Sequence, residues 1–282
     1  MKKVIAALLA ACMALALCAC GRSAFGRREK SGNMEFTLDR DSDTYTLVFY
    51  TDTSRGKELV IPDEFNGKRV TAIGRLAVSS ADTLERIVLG PNIESIDKWG
   101  IVGCRYLKSI EVDGRNERFR SAGGVLYSKD GTVLVSYPNA HSAVYSDSGA
   151  LLSKAEYSVE PGTKIIGHCA FYRCYGLEKV ILPEGVETIE DRAFHKCEAL
   201  REINFPAGLR AIGMDAFLGC EALTELALPA SIREIGDYAF YNAMNIERIT
   251  IAAAEKDVTL GERWFPTSAG RDIRAEIIWK ED

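Results

Sequence analysis

The phrase AFHKCEALREINFP, residues 193–206, returns at a fixed interval of 23 residues: AFYRCYGLEKVILP begins at Ala170, AFLGCEALTELALP at Ala216 and AFYNAMNIERITIA at Ala239. No other feature constrains the fold as strongly. A sequence that repeats at one period must build one structural unit repeatedly, each copy burying its apolar positions against its neighbours. The copy from Ile189 carries Ala193, Phe194, Cys197, Leu200, Ile203 and Phe205, and ends at Pro206. The copies from Ile166, Ile212 and Ile235 hold apolar residues at the same offsets, and weaker copies start at Ile73 and Ile96.

Within each copy the last residues alternate. Ile203 and Phe205 point one way and Glu202 and Asn204 the other, which predicts a short half-buried strand. Pro206 lacks a backbone N–H and ends it. A single coil cannot stand alone. Each large apolar side chain contributes roughly 1.5–3 kcal/mol, while ordering the backbone costs roughly 1–2 kcal/mol for every residue. Coils stacked about 4.8 Å apart share strand ladders and one continuous core. The expected fold is a solenoid of short strands and turns.

The pattern L-x-x-I-x-L-P preceded by I-G-x-x-A-F-x-x-C, clearest in IIGHCAFYRCYGLEKVILP (165–183) and AIGMDAFLGCEALTELALP (211–229), resembles the BspA-type leucine-rich repeat of bacterial surface proteins. FRSAGGVLYSKDGTVLVSYP (119–138) resembles the hairpin that interrupts such arrays, and its Asp130-Gly131 pair is a hairpin turn signal. MEFTLDRDSDTYTLVFYT and LVIPDEFNGKRVTAIG resemble the family's N-terminal hairpin and first coil. The resemblance implies a leucine-rich-repeat solenoid with an N-terminal hairpin cap. It also implies attachment to host proteins, host cells or neighbouring bacteria. The expected organisation is a signal peptide over 1–19, a lipidated cysteine and flexible tether over 20–33, and a capping hairpin with the first coil over 34–72. Repeats follow over 73–112, a hairpin interruption over 113–160, repeats over 161–252 and a C-terminal cap over 253–282.

The signal peptide is read from Lys2, Lys3 and the apolar run Val4–Leu17, too short for a membrane span, which needs about 20 residues, and suited to a secretory h-region. It ends in Leu17-Cys18-Ala19-Cys20-Gly21, which resembles a bacterial lipobox. That resemblance implies cleavage before Cys20, acylation of Cys20 and a membrane anchor. Arg22, Arg27, Arg28 and Lys30 of the tether are placed either to touch anionic headgroups or to act as a solvated spacer.

Other chemistry finds little material. The net charge of −5 argues against a nucleic-acid partner, which needs concentrated Lys and Arg. Only three histidines occur, and no C-x-x-C pair, P-loop, H-E-x-x-H, serine-hydrolase elbow or dinucleotide fingerprint is present. Asp39, Asp41 and Asp43 have calcium-loop spacing, but Thr44 stands where Gly is needed and Tyr50 where Glu is needed, which favours a polar turn. No catalytic residue, metal, cofactor or small-molecule substrate is expected. Cys104, Cys174, Cys197 and Cys220 share one repeat position. They read as a column of buried thiols, with a disulfide as the alternative.

Two surfaces remain for a protein partner. On the main strands the outward positions are Glu178, Lys179 and Ile181; Arg201, Glu202 and Asn204; Thr224, Glu225 and Ala227; and Glu247, Arg248 and Thr250. They form a face of mixed sign. On the turns, Tyr172, His195, Leu218 and Tyr241 share one column, and Arg173, Lys196, Gly219 and Asn242 the next. These stripes are expected to be mostly exposed and vary between copies, the way repeat proteins build binding faces. Unremarkable solvated surface is the alternative for both. At the level of the whole chain, an outward-facing lipoprotein adhesin stands beside a periplasm-facing scaffold.

Overall fold

A computed structural model describes residues 27–53, 56–145, 151–153, 155–266 and 275–280. The expected signal peptide, the lipobox and Cys20 lie outside the described residues. The chain forms a β-solenoid of about nine turns with a period of roughly 23 residues. Among the described residues the one helix is a single 3-10 turn, Glu255–Asp257, and no helix is long and apolar enough to cross a membrane.

Three parallel ladders run along the stack. The first joins the main strands: Glu58–Val60, Arg86–Leu89 and Ser109–Val112 before the interruption, then Ala155–Ser158, Leu177–Ile181 and Glu202–Ile203, then Glu225–Leu228, Arg248–Ile251 and Glu276–Trp279. The second joins the two-residue strands Ile165–Ile166, Thr188–Ile189, Ala211–Ile212, Glu234–Ile235 and Thr259–Leu260. The third is made by the turns between them. Cys169, Phe171 and Arg173 donate their N–H groups to the carbonyls of Asp191, Ala193 and His195 in the next coil, at 3.2, 2.7 and 2.8 Å, and the pattern repeats at Arg192, Phe194 and Lys196.

The core follows the repeat. Phe171, Phe194, Phe217 and Phe240 are fully buried and stack in a column, with ring centroids 4.7, 5.1 and 5.3 Å apart and planes within 11° of parallel. Ring spacing near the strand spacing is what places one aromatic in each coil without a gap.

The N-terminal cap extends further upstream than the tether boundary at residue 33. Glu29–Ser31 is a strand, paired antiparallel with Met34–Asp39 around Gly32, whose φ of +58° suits a tight turn. The Glu29 carboxylate accepts from Tyr45 Oη (3.0 Å) and Asn66 Nδ2 (2.7 Å). Arg28 and Lys30 both pair with Glu35. The segment is therefore folded back on the cap, and its cations face a carboxylate of this chain. Met34–Asp39 pairs with Thr44–Tyr50, and that strand joins Lys68–Ile73 in parallel, which ties the cap to the first coil. Asp43 pairs with Lys68.

The interruption is a three-stranded meander, Phe119–Ala122, Val125–Ser128 and Val133–Ser136, and the last strand pairs in parallel with Ile165–Ile166. The second ladder thus extends into the inserted meander and ends there, while the upstream strand Ser95–Ile96 pairs with Lys68–Ile73 in a separate sheet. Strand alternation makes Val125–Ser128 a partition: Leu126 enters the N-terminal core, while Val125 and Tyr127 enter the C-terminal one. Ala155–Ser158, inside the span read as interruption, already belongs to the main ladder through Leu177–Ile181.

Asn116 holds this junction. It is fully buried, donates to the carbonyls of Gly90 (2.9 Å) and Ile93 (3.0 Å), and accepts from the N–H groups of Arg118 (2.8 Å) and Phe119 (2.7 Å). Asn116→Ala strips partners from four backbone groups in a dry site, each orphan costing about 1–3 kcal/mol where water cannot replace the partner. Equilibrium unfolding in urea is expected to show a loss of several kcal/mol. A loss below about 1 kcal/mol would mean that water enters and the junction is not sealed.

The strand expected up to Phe205 stops at Ile203, and no ladder joins Glu202–Ile203 to Glu225–Leu228. In a later coil Ala252 N–H donates to Leu228 O at 3.0 Å; Pro229, at the equivalent position, has no N–H to give to Phe205 O across the unpaired step, and Pro206 likewise has none to give to Leu182 O of the preceding coil. The Asn204 side chain substitutes, donating to Leu182 O (2.8 Å) and accepting from Leu182 N (2.7 Å). Phe205, bulkier than Leu182 and Leu228 in the same column, is only half-buried and meets Phe217 edge-on.

Candidate partner-binding surface

The third ladder depends on an unusual backbone. Most coils place two turn residues in the left-handed region, and the coil of Trp99 places one, Gly103. One column contains Leu76, Cys169, Arg192, Asp215 and Tyr238, with φ between +54° and +58°; the other contains Ser80, Gly103, Arg173, Lys196, Gly219 and Asn242, with φ between +51° and +72°. A residue with a Cβ is less stable there by roughly 1–2 kcal/mol, whereas glycine takes the conformation without strain. Gly103 and Gly219 are therefore the comfortable occupants of the second column. Arg173 and Lys196 hold it against their own preference.

The stripe is less exposed than the sequence suggests. Tyr172, Arg173, His195, Lys196, Tyr241 and Asn242 are all half-buried. Because the turns stack at ladder distance, side chains of neighbouring coils can meet. Tyr172 and His195 stack with centroids 5.1 Å apart at 14°. The Arg173 guanidinium lies over Tyr172 at 5.2 Å. Asn139 donates to the carbonyls of both Tyr172 (3.1 Å) and Arg173 (2.9 Å), which fixes this turn to the interrupting segment. Tyr241 and Asn242 are not part of the same cluster. Leu218 and Gly219 stand between them and His195 and Lys196, and Tyr241 packs edge-on against Tyr238.

Trp99 completes the surface, and repeat reading alone missed it. It meets His168 (5.2 Å) and Tyr172 (5.7 Å) edge-on, with the guanidinium groups of Arg75 and Arg192 over its ring at 5.7 and 5.3 Å. These contacts bind the coil before the interruption to the coil after it. The sequence signal was a tryptophan in the column of Leu76, Cys169 and Arg192, a place with no apolar rule.

Burial and the neighbouring positive charges of Arg192, Lys196 and Arg173 bring the His195 imidazole down to about 4, so it is neutral at pH 7. Burial also lowers His168, against the pull of Asp191. Arg192 is paired with Asp215 at 2.7 Å. Among the described residues no carboxylate pairs with Arg173 or Lys196.

The sheet face differs in this respect. Its charges pair between coils: Lys179 with Glu202 (2.6 Å), Arg201 with Glu178 (2.8 Å), Lys108 with Glu85 (2.7 Å), and Arg248 with both Glu225 (3.4 Å) and Glu276 (3.1 Å). Such exposed pairs add little stability, but they neutralise the face from within. Ile181 and Ile278 stand exposed among them. A shallow cleft of about 360 Å³ lies at the broken ladder step, bordered by Lys179, Ile181, Asn204 and Glu225.

The cysteine column, Cys104, Cys174, Cys197 and Cys220, is a row of free, buried thiols, and Cys169 in its separate column is also unbridged and buried. Cys197 Sγ donates to Phe171 O (3.0 Å) and Cys220 Sγ to Phe194 O (3.1 Å). Each thiol thus binds the carbonyl of the preceding coil. Burial raises both well above the ordinary thiol range, so neither is poised as a nucleophile. Among the described residues no cluster of His, Cys, Asp and Glu could hold a metal ion.

Residues 153–269 match the family described as the BspA type leucine-rich repeat region, in six copies. Among solved structures, the pneumococcal vaccine antigen PcpA superposes with a TM-score of 0.52 at 18% identity, over 91% of this chain and 88% of that one. A leucine-rich repeat protein from Eubacterium ventriosum superposes with a TM-score of 0.51 at 17% identity, over 84% and 83%. At such identities the likeness is one of fold. No curated protein matches the chain.

Proposed function

We propose that this BspA-type leucine-rich repeat protein is a cell-surface lipoprotein, anchored through Cys20, whose solenoid binds another protein and serves adhesion to host proteins, host cells or other bacteria. The observation that carries the reading is the contrast between its surfaces. On the sheet face Lys179, Arg201 and Arg248 pair with carboxylates of neighbouring coils, whereas among the described residues Arg173 and Lys196 of the turn stripe around Tyr172 and His195 have no carboxylate partner. A stiff array with side chains left uncommitted suits recognition of a macromolecule. The reading assigns the chain no reaction. A periplasm-facing scaffold would share the fold and differ in which way it faces.

The anchor is tested by feeding cells an alkyne-tagged fatty acid. The wild-type protein is expected to be labelled and to stay with the membrane fraction, and Cys20→Ala to lose both properties. An unlabelled wild-type protein would remove the lipid from the account.

A further inference from the structure

The turn stripe has a chemistry that narrows what it can bind. Arg173 and Lys196 occupy adjacent coils at one column, with φ of +59° and +57°. Their backbones are fixed by hydrogen bonds to His195 O (2.8 Å) and Leu218 O (2.7 Å). Stacked strands and turns are about 4.8 Å apart, so a guanidinium and an ammonium on neighbouring coils can reach one carboxylate. Tyr172 and His195 form the aromatic floor beside them.

We propose that Arg173 and Lys196, backed by the Tyr172–His195 stack, form a docking site for a carboxylate-bearing, acidic segment of a partner protein. The proposal rests on the protein-binding reading above and gives it a surface and a partner chemistry. Three observations support it. Among the described residues the two cations have no carboxylate partner, whereas Arg192 beside them is committed to Asp215. The charged groups acting most on the His195 ring are the cations Arg192, Lys196 and Arg173, and Arg173 and Lys196 stay unneutralised among the described residues. Finally, both cations sit where Gly103 and Gly219 show that glycine fits. A strained residue kept where a relaxed one would serve points to a use for its side chain. Two cations suit one or two carboxylates. They are too few for a polysulfated chain, whose affinity grows with the number of ion pairs, and the net charge of −5 opposes such a polyanion.

The test uses the full-length protein in detergent and a fluorescent octapeptide alternating Glu and Ala, with Gln-Ala and Lys-Ala peptides and heparin as comparisons. The Glu-Ala peptide is expected to bind, more weakly as salt rises. The double variant Arg173→Gly, Lys196→Gly is expected to lose about tenfold or more in affinity, equivalent to about 1.4 kcal/mol. Its melting temperature should rise, because the left-handed strain is removed. Arg201→Ala on the sheet face should bind as the wild type does. Equal binding by the double variant, a lower melting temperature, or preference for heparin over the peptide would each overturn the assignment. Cross-linking on intact cells separates this from the broader reading. A partner protein still captured by the double variant would place binding elsewhere on the solenoid and leave that reading standing. No captured protein for the wild type would remove the reading itself.

Discussion

Phe217→Ala is expected to destabilise the solenoid by about 3–5 kcal/mol, the range for removing a fully buried aromatic from a packed core. Phe217 has rings on both sides, Phe194 at 5.1 Å and Phe240 at 5.3 Å, and Phe205 packs edge-on against it. Its loss therefore weakens two coil interfaces at once. In a repeat array stability is nearly the sum of coil and interface contributions, so the damage should appear locally. Hydrogen exchange is expected to accelerate most at the coils around residues 194, 217 and 240 and least in the N-terminal cap. Tyr241→Ala, next to Phe240 in the following coil and half-buried, is the comparison and should cost much less. A Phe217→Ala variant as stable as the wild type in urea would mean that the aromatic column is not what holds the coils together.

The second large effect is expected from a single methyl group. A Cβ at Gly236 would lie 2.6 Å from Met214 N and 2.7 Å from Gly213 C, both backbone atoms of the preceding coil. Gly236 has no positive φ, so its role is close approach of one backbone to the next. Gly236→Ala is expected to cost about 1–3 kcal/mol or more, because stacked backbone cannot move aside as a side chain can. Gly114→Ala meets nothing within 4 Å and should be nearly neutral, which separates steric exclusion from the general effect of replacing glycine. Chemical unfolding of the two variants side by side checks this. Similar stabilities would show that the coils stack more loosely than the ladders indicate. Glu190 occupies the same repeat position as Gly213 and Gly236, and its carboxylate accepts from His168 N at 2.8 Å.

How far the chain could be read before its structure depended on whether a residue obeys the repeat. The period, the Phe column and the shared cysteine position were legible because burial imposes the same residue type in every coil. The turn at Asp130-Gly131 was legible from its own chemistry, and Gly131 has a φ of +76°. Features made by exceptions were not legible. The step from Glu202–Ile203 to Glu225–Leu228 carries no ladder, and the Asn204 side chain reaches back to Leu182 where Pro206 has no N–H to offer; only neighbouring coils seen together reveal either. Glu29–Ser31 looks like a polar tether, since nothing in its composition announces that Glu29 meets Tyr45 and Asn66. The stripe was found as two columns of variable residues, but its burial was misjudged. Left-handed turns bring the coils to hydrogen-bonding distance, and Arg173 and Lys196 give no sign of that conformation in sequence. Trp99 escaped for a related reason: its partners His168 and Tyr172 come from beyond the inserted meander.

The proposed function requires that this solenoid faces outward and meets a partner there. The most direct measurement is protease shaving of intact cells, with the protein and a periplasmic control followed on the same blot and the bond after Arg27, ahead of the Glu29–Ser31 strand, watched as the point of cleavage. The protein is expected to be cut, with the solenoid released, while the control survives. Survival of both until the envelope is permeabilised would contradict it and leave the solenoid facing the cell's own envelope proteins.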